Sequence, residues 1–171
     1  MAHLFGEARN FLVRLAGSDD GDVDGVQADY VIRKENAAWL RWRAMSAESE
    51  HGPVMSWPKG EDGNALRQRL LDQRILLLGG PLDDEAAGEL IGEMLLLSSA
   101  DPRSEIRLYI NSTGGSAGAF LAVYDTMQAL SAPVATICMS QAKGTAALLL
   151  AAGAIGKRLA FENILILIKF P

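Results

Sequence analysis

The sequence predicts an α/β domain with a mostly parallel sheet, preceded by an appendage of different composition. Three observations carry this. From about residue 66, apolar runs of strand length alternate with longer apolar runs of helix length, the order that βαβ crossovers leave in a chain. Glycine and proline mark the joints, at Gly79-Gly80, Pro102, Gly114-Gly115 and Pro133. Residues 1–64 lack that alternation and hold all three tryptophans, both histidines and polar stretches such as GSDDGDVDG and SAESEHGP. The expected division is therefore an extension over 1–64, partly helical and partly disordered, and a domain over 65–171.

Within the domain, RILLLGG reads as a buried strand ended by glycines. LDDEAAGELIGEMLLLSSADP reads as a helix, with Asp83 or Asp84 as N-cap and Pro102 past its end. EIRLYIN alternates like a second strand, and GGSAGAFLAVYDTMQALSAP runs as a helix towards Pro133. VATICM is the third strand and ILILI the fourth, separated by TAALLLAAGAIGKR, a helix apolar nearly all round. A surface helix would show a polar face, so this one must be covered on both sides. Part of the cover is expected from another subunit; the alternative is enclosure by its own chain.

Composition narrows the function classes. A net charge of −5 and a pI near 5.0, with basic residues scattered among acids, argue against a nucleic-acid surface. The single cysteine, Cys138, lies in a core-like strand and has no internal disulfide partner. The N-terminus lacks a secretory pattern, and the near-apolar stretch 145–155 is about half of the ~20 residues that a bilayer crossing requires. A soluble protein of the cytoplasm, or of an organelle such as the plastid stroma, is expected, with no membrane partner.

Two junctions are candidates for chemistry. In YINSTGGSAGAF, Gly114 and Gly115 stand where a strand passes into a helix, so backbone N–H groups can approach an oxyanion or phosphate; a plain turn is the alternative. The pattern is not a Gly-Lys-Ser/Thr phosphate loop. In CMSQAKGTAALLL, the turn Lys143-Gly144-Thr145 joins a strand to a helix, where many hydrolases expose a nucleophile, yet its apex carries none.

Together with YDTMQAL and AGAIGKR, these two runs make residues from about 66 to 171 resemble the proteolytic subunit family of the Clp protease, ClpP, within the crotonase-like superfamily. The resemblance implies repeated βαβ units, with the C-terminal handle region of the family absent from this sequence. It places the oxyanion-hole glycine on Gly115 and the donor N–H following the nucleophile on Thr145. The nucleophile position falls on Gly144, and the base position on Lys169. With His3 and His51 outside the resembling region, neither nucleophile nor base is intact. A dismantled triad retains roughly 10³-fold acceleration over water, so proteolysis by the usual route is not expected.

The resemblance therefore points to a non-catalytic, ClpR-type subunit, structural or regulatory, within a homo- or hetero-oligomeric ring of ClpP-like chains. A hydrolase using a Ser/Thr-Lys dyad from Ser140, Thr145, Lys143 and Lys169 with the oxyanion site is the alternative. The family's rings dock AAA+ ATPases; matching groove positions are Leu95, Leu96 and Tyr109, while Arg107 replaces a usual aromatic. No cofactor is implied.

The appendage offers weaker signals. Asp20, Asp22, Asp24 and Gly25 open like a calcium loop, but Gln27 and Val31 stand where an apolar residue and a bidentate Glu belong, so a solvated linker is expected and no metal. Residues 4–15 can form a short amphipathic helix. Trp39 and Trp42 fall three apart on one helical face, flanked by Arg41 and Arg43, a stripe for packing or for docking on a neighbour. In the family the segment before the first strand forms axial entrance loops, a role that residues 51–65 could take.

Overall fold

The computed structural model describes residues 30–32, 60–161 and 164–168. The elements in chain order are β1 (Tyr30–Ile32), α1 (Glu61–Asp72), β2 (Ile75–Leu78), α2 (Asp84–Ala100), β3 (Ile106–Ser112) and α3 (Ala117–Ala129). They continue with β4 (Val134–Lys143), α4 (Thr145–Ala151), β5 (Arg158–Ala160) and β6 (Leu165–Ile168). The sheet runs β1-β6-β4-β3-β2, with β5 beside β4. Five of its strands are parallel, and β1 pairs antiparallel with β6.

Local sequence explains the helix starts. Asp83 resolves the choice of cap for α2, accepting from the Ala86 N–H at 2.8 Å, and Ser116 caps α3 by accepting from Ala119 at 3.3 Å. The C-terminus of α2 has no basic residue in its last turn. Arg74, held at φ 59°, instead reaches it from outside, donating to the carbonyls of Leu97, Asp101, Ser104 and Glu105 at 2.9–3.1 Å. One guanidinium fork thereby gathers carbonyls at and beyond the end of α2 and ties the turn before β2 to the loop before β3.

Alternation along β2 and β3 sets the layers. Leu76, Leu78, Leu108 and Ile110 are buried, whereas Ile75, Leu77, Arg107 and Tyr109 are half-buried on the other face. The buried set packs with Leu90 and Met94 of α2, Phe120 and Val123 of α3, and Leu149 and Leu150 of α4. The core thus lies between one face of the sheet and these helices.

Three expectations need correction. The third strand does not stop at Met139. It continues to Lys143, because β5 pairs along Thr136–Cys138 and β6 then pairs along 141–143 on the same edge. Polar residues there gain ladder partners from distant sequence. The helix after it is also shorter, ending at Ala151 rather than running through Arg158. Gly153 lies so close to Thr136 that a Cβ would sit 2.3 Å from Oγ1, and Gly156 takes φ 79°, so the chain turns back into β5.

The apolar girth of α4 has its explanation within the chain as well. Ala146, Ala147, Leu149, Leu150 and Ala151 have no exposed surface, enclosed by β4, β6, α3 and β3. Its composition therefore gives no evidence of a neighbouring subunit, and the expectation drawn from it falls.

Candidate functional site

The site forms where β3 and β4 deliver their C-terminal ends side by side. Ile110 pairs with Cys138 but Ser112 with Ala142, so a two-residue step in β3 faces a four-residue step in β4. This bulge bends the end of β4 and brings the turn at 143–145 against the loop at 113–115. Gly114 fits the approach closely: at φ 84°, a Cβ there would meet the Lys143 carbonyl oxygen at 2.5 Å. Its N–H is steadied by the Ser112 hydroxyl, which accepts it at 3.1 Å.

Gly115 is pinned from the opposite side. It forms a bridge with Leu82, in which Leu82 N–H donates to the Gly114 carbonyl at 3.0 Å and Ser116 N–H donates to the Leu82 carbonyl at 2.9 Å. A Cβ on Gly115 would lie 2.2 Å from that carbonyl oxygen. The glycine is required by closeness here, not by an unusual φ.

Gly144 sits at the apex with φ 52° and ψ −121°, exposed, with nothing within 4 Å of where a Cβ would be. This is the shape of a strand-to-helix turn that presents a nucleophile, with the side chain reduced to hydrogen. Its N–H donates to Leu167 at 2.8 Å, and its carbonyl accepts from Ala147 and Leu148 at 3.1 and 3.2 Å. A glycine has no group to attack a carbonyl.

Thr145 holds what the sequence did not reveal. Its Oγ1 accepts the Gly115 N–H at 2.8 Å and leans towards the Gly115 carbonyl at 3.4 Å. The side chain of one expected donor residue thus occupies the N–H of the other. The available signal was small: a hydroxyl on the first helical residue, facing two glycines. Three polar side chains near the bulge are also unexpectedly buried, Asn111 at 4%, Ser112 at 1% and Gln141 at 6% exposure.

Other candidates fall apart from this cluster. Ser140 is exposed and Lys143 half-buried on β4, and among the described residues no hydrogen bond joins Lys143 to Ser140 or Thr145. Cys138 is buried, and burial pushes its thiol up to about 12, so it supplies no thiolate at this turn. Leu95 and Leu96 lie exposed on α2, while Tyr109 is on the sheet face away from the helices; one chain does not bring them together. Arg107 donates to the Gln73 carbonyl at 3.1 Å beside Tyr109. Lys169, both histidines, Asp20, Asp22, Asp24, Gly25, Trp39 and Trp42 lie outside the described residues. Among the described residues no three metal-ligating side chains converge, and no helix is long and apolar enough to cross a membrane.

Parallel strands delivering a glycine pair and a strand-to-helix turn to one end of the sheet agree with a family-wide sequence comparison. The family model described as Clp protease matches residues 58–171, most of the chain and all of the helices and parallel strands described above. By this match the chain belongs to the Clp protease family.

Proposed function

We propose that this chain is a ClpR-like subunit of a Clp protease ring, contributing wall and contact surface without cleaving peptides itself. Members of the family generally form oligomeric rings. The observation that carries the reading is the apex of the turn: the backbone of Gly144 has the bend that aims a nucleophile, the space for its side chain is open, and no side chain is there. The single cysteine, Cys138, is buried with a raised pKa, and the Thr145 hydroxyl is engaged with Gly115. The second does not favour a Ser/Thr-Lys dyad, and the first leaves no thiolate as a substitute nucleophile.

The docking surfaces follow from the same layering. Exposed Leu95 and Leu96 on α2 of one copy would meet the Tyr109 face of the next, so a groove for an ATPase would need two adjacent subunits. Arg107 beside Tyr109 replaces apolar surface with a charge, which weakens such docking on this subunit.

The test has two arms. The pure chain, incubated with a serine-reactive fluorophosphonate and a fluorogenic peptide, should show neither labelling nor cleavage. Co-expressed with an active ClpP-type homologue, it should co-purify in particles of ring mass. Labelling of the pure chain would overturn the inactive reading, and failure to enter any ring would overturn the structural one.

A further inference from the structure

We infer that Thr145 is a built-in stopper of the Gly115 amide, so that the turn is closed to a substrate carbonyl by a second device independent of the missing nucleophile. The inference deepens, and rests on, the non-peptidase reading above. An oxyanion site works by presenting unoccupied N–H donors where negative charge develops. The Gly115 N–H points at the Thr145 oxygen at 2.8 Å, a full hydrogen bond by distance.

The stopper is held rather than casual. Gly115 cannot back away from Thr145, because Leu82 presses on its other side through two backbone hydrogen bonds. Thr145 cannot easily swing out either. Its backbone follows the Gly144 turn, which is anchored to Leu167 and packs against Gly114, so the β-branched side chain starts from a fixed Cα. A substrate carbonyl would have to displace an intramolecular acceptor that carries no association entropy.

Restoring a serine at position 144 is therefore insufficient. The Gly144→Ser side chain would enter open space, yet the donor it needs would remain taken. Removing the hydroxyl as well should release the amide. Thr145→Ala does this, while Thr145→Ser keeps an oxygen in place and serves as the conservative control.

The first measurement needs no catalysis. Amide hydrogen exchange at Gly115, read by NMR on the full chain, should quicken at least about fivefold in Thr145→Ala, the effect of losing one neutral hydrogen bond, and stay near wild type in Thr145→Ser. The second compares phenylboronic acid binding to Gly144→Ser, Gly144→Ser/Thr145→Ala and Gly144→Ser/Thr145→Ser. The alanine double variant should bind at least about tenfold tighter than the other two, a difference worth about 1.4 kcal/mol. Unchanged exchange in Thr145→Ala, or equal boronate affinity across the three chains including no binding in any, overturns the stopper. Fluorophosphonate labelling of the unmodified chain would instead overturn the non-peptidase reading and leave the exchange result standing.

Discussion

Replacing Gly115 by alanine should cost more stability than replacing Gly144, even though Gly144 has the less ordinary backbone. At Gly115 the new Cβ would lie 2.2, 2.7 and 2.9 Å from the O, C and N of Leu82. These are backbone atoms of a residue with no exposed surface, so nothing flexible can give way. Relief means parting the bridge. Two backbone hydrogen bonds at about 1 kcal/mol each, together with about 1–3 kcal/mol for overpacking, set a cost of about 3–5 kcal/mol. Reduced freedom of the unfolded chain returns about 0.4–1 kcal/mol, leaving about 2–4.6 kcal/mol.

At Gly144 the Cβ meets nothing within 4 Å, and only the left-handed φ of 52° resists it. A non-glycine residue in such a region costs about 1–3 kcal/mol, partly offset in the same way, for a net of about 0–2.6 kcal/mol. Urea unfolding followed by circular dichroism separates the two, with an unchanged m-value as the control for a common mechanism. Gly115→Ala at or above the midpoint of Gly144→Ala would refute the geometry argued for both loops.

Three further outcomes are expected. Arg74→Lys should lose about 1–3 kcal/mol in the same unfolding assay, because a single ammonium cannot serve the four carbonyls that the guanidinium reaches. Native Cys138 should resist a disulfide reagent at pH 8 and react on unfolding. Since its native pKa is raised from 9.0 to about 12, the unfolded chain releases that proton first, and stability should fall as pH rises from 9 towards 12 by more in wild type than in Cys138→Ala. The Asp101 carboxyl should titrate below 3.8, held down chiefly by the Ser104 hydroxyl and then by the Arg103 N–H. Its contribution is present above 3.8 and lost as pH falls through the native value, and Ser104→Ala should raise that value in a carbon-13 NMR titration.

What the sequence revealed divides along the range of the interactions. The strands RILLL and IRLYI, and the helix opened by Asp83, announce themselves through pattern and cap chemistry, which are local, and the helix before Pro133 shows in its apolar run. The end of β4 does not, because Ser140, Gln141 and Lys143 read as a polar turn until β6 supplies a ladder from more than twenty residues away. The short length of α4 depends on Gly153 meeting Thr136 across the fold, a contact no helix pattern contains. At the site, motif order alone brought Gly115, Gly144 and Thr145 to attention. The hydrogen bond between Gly115 and Thr145 joins residues thirty apart, a pairing that no local pattern encodes.

The shape of the turn around Gly144 therefore does not depend on a reactive side chain. Glycine tolerates φ 52° without steric cost, and what fixes the angle is external: the Leu167 carbonyl takes its N–H, Ala147 and Leu148 take its carbonyl, and Gly114 packs against Lys143. Two of these contacts join elements of the core, Gly144 to β6 through Leu167 and the loop after β3 to the end of β4 through Gly114, while the bonds from Ala147 and Leu148 are the first turn of α4. A nucleophile at this apex would add strain to a turn that the fold already specifies, so deleting it relieves strain and leaves the packing in place. The chemistry at such a site can disappear while the surface built on the same strands persists, because the two are held by different atoms.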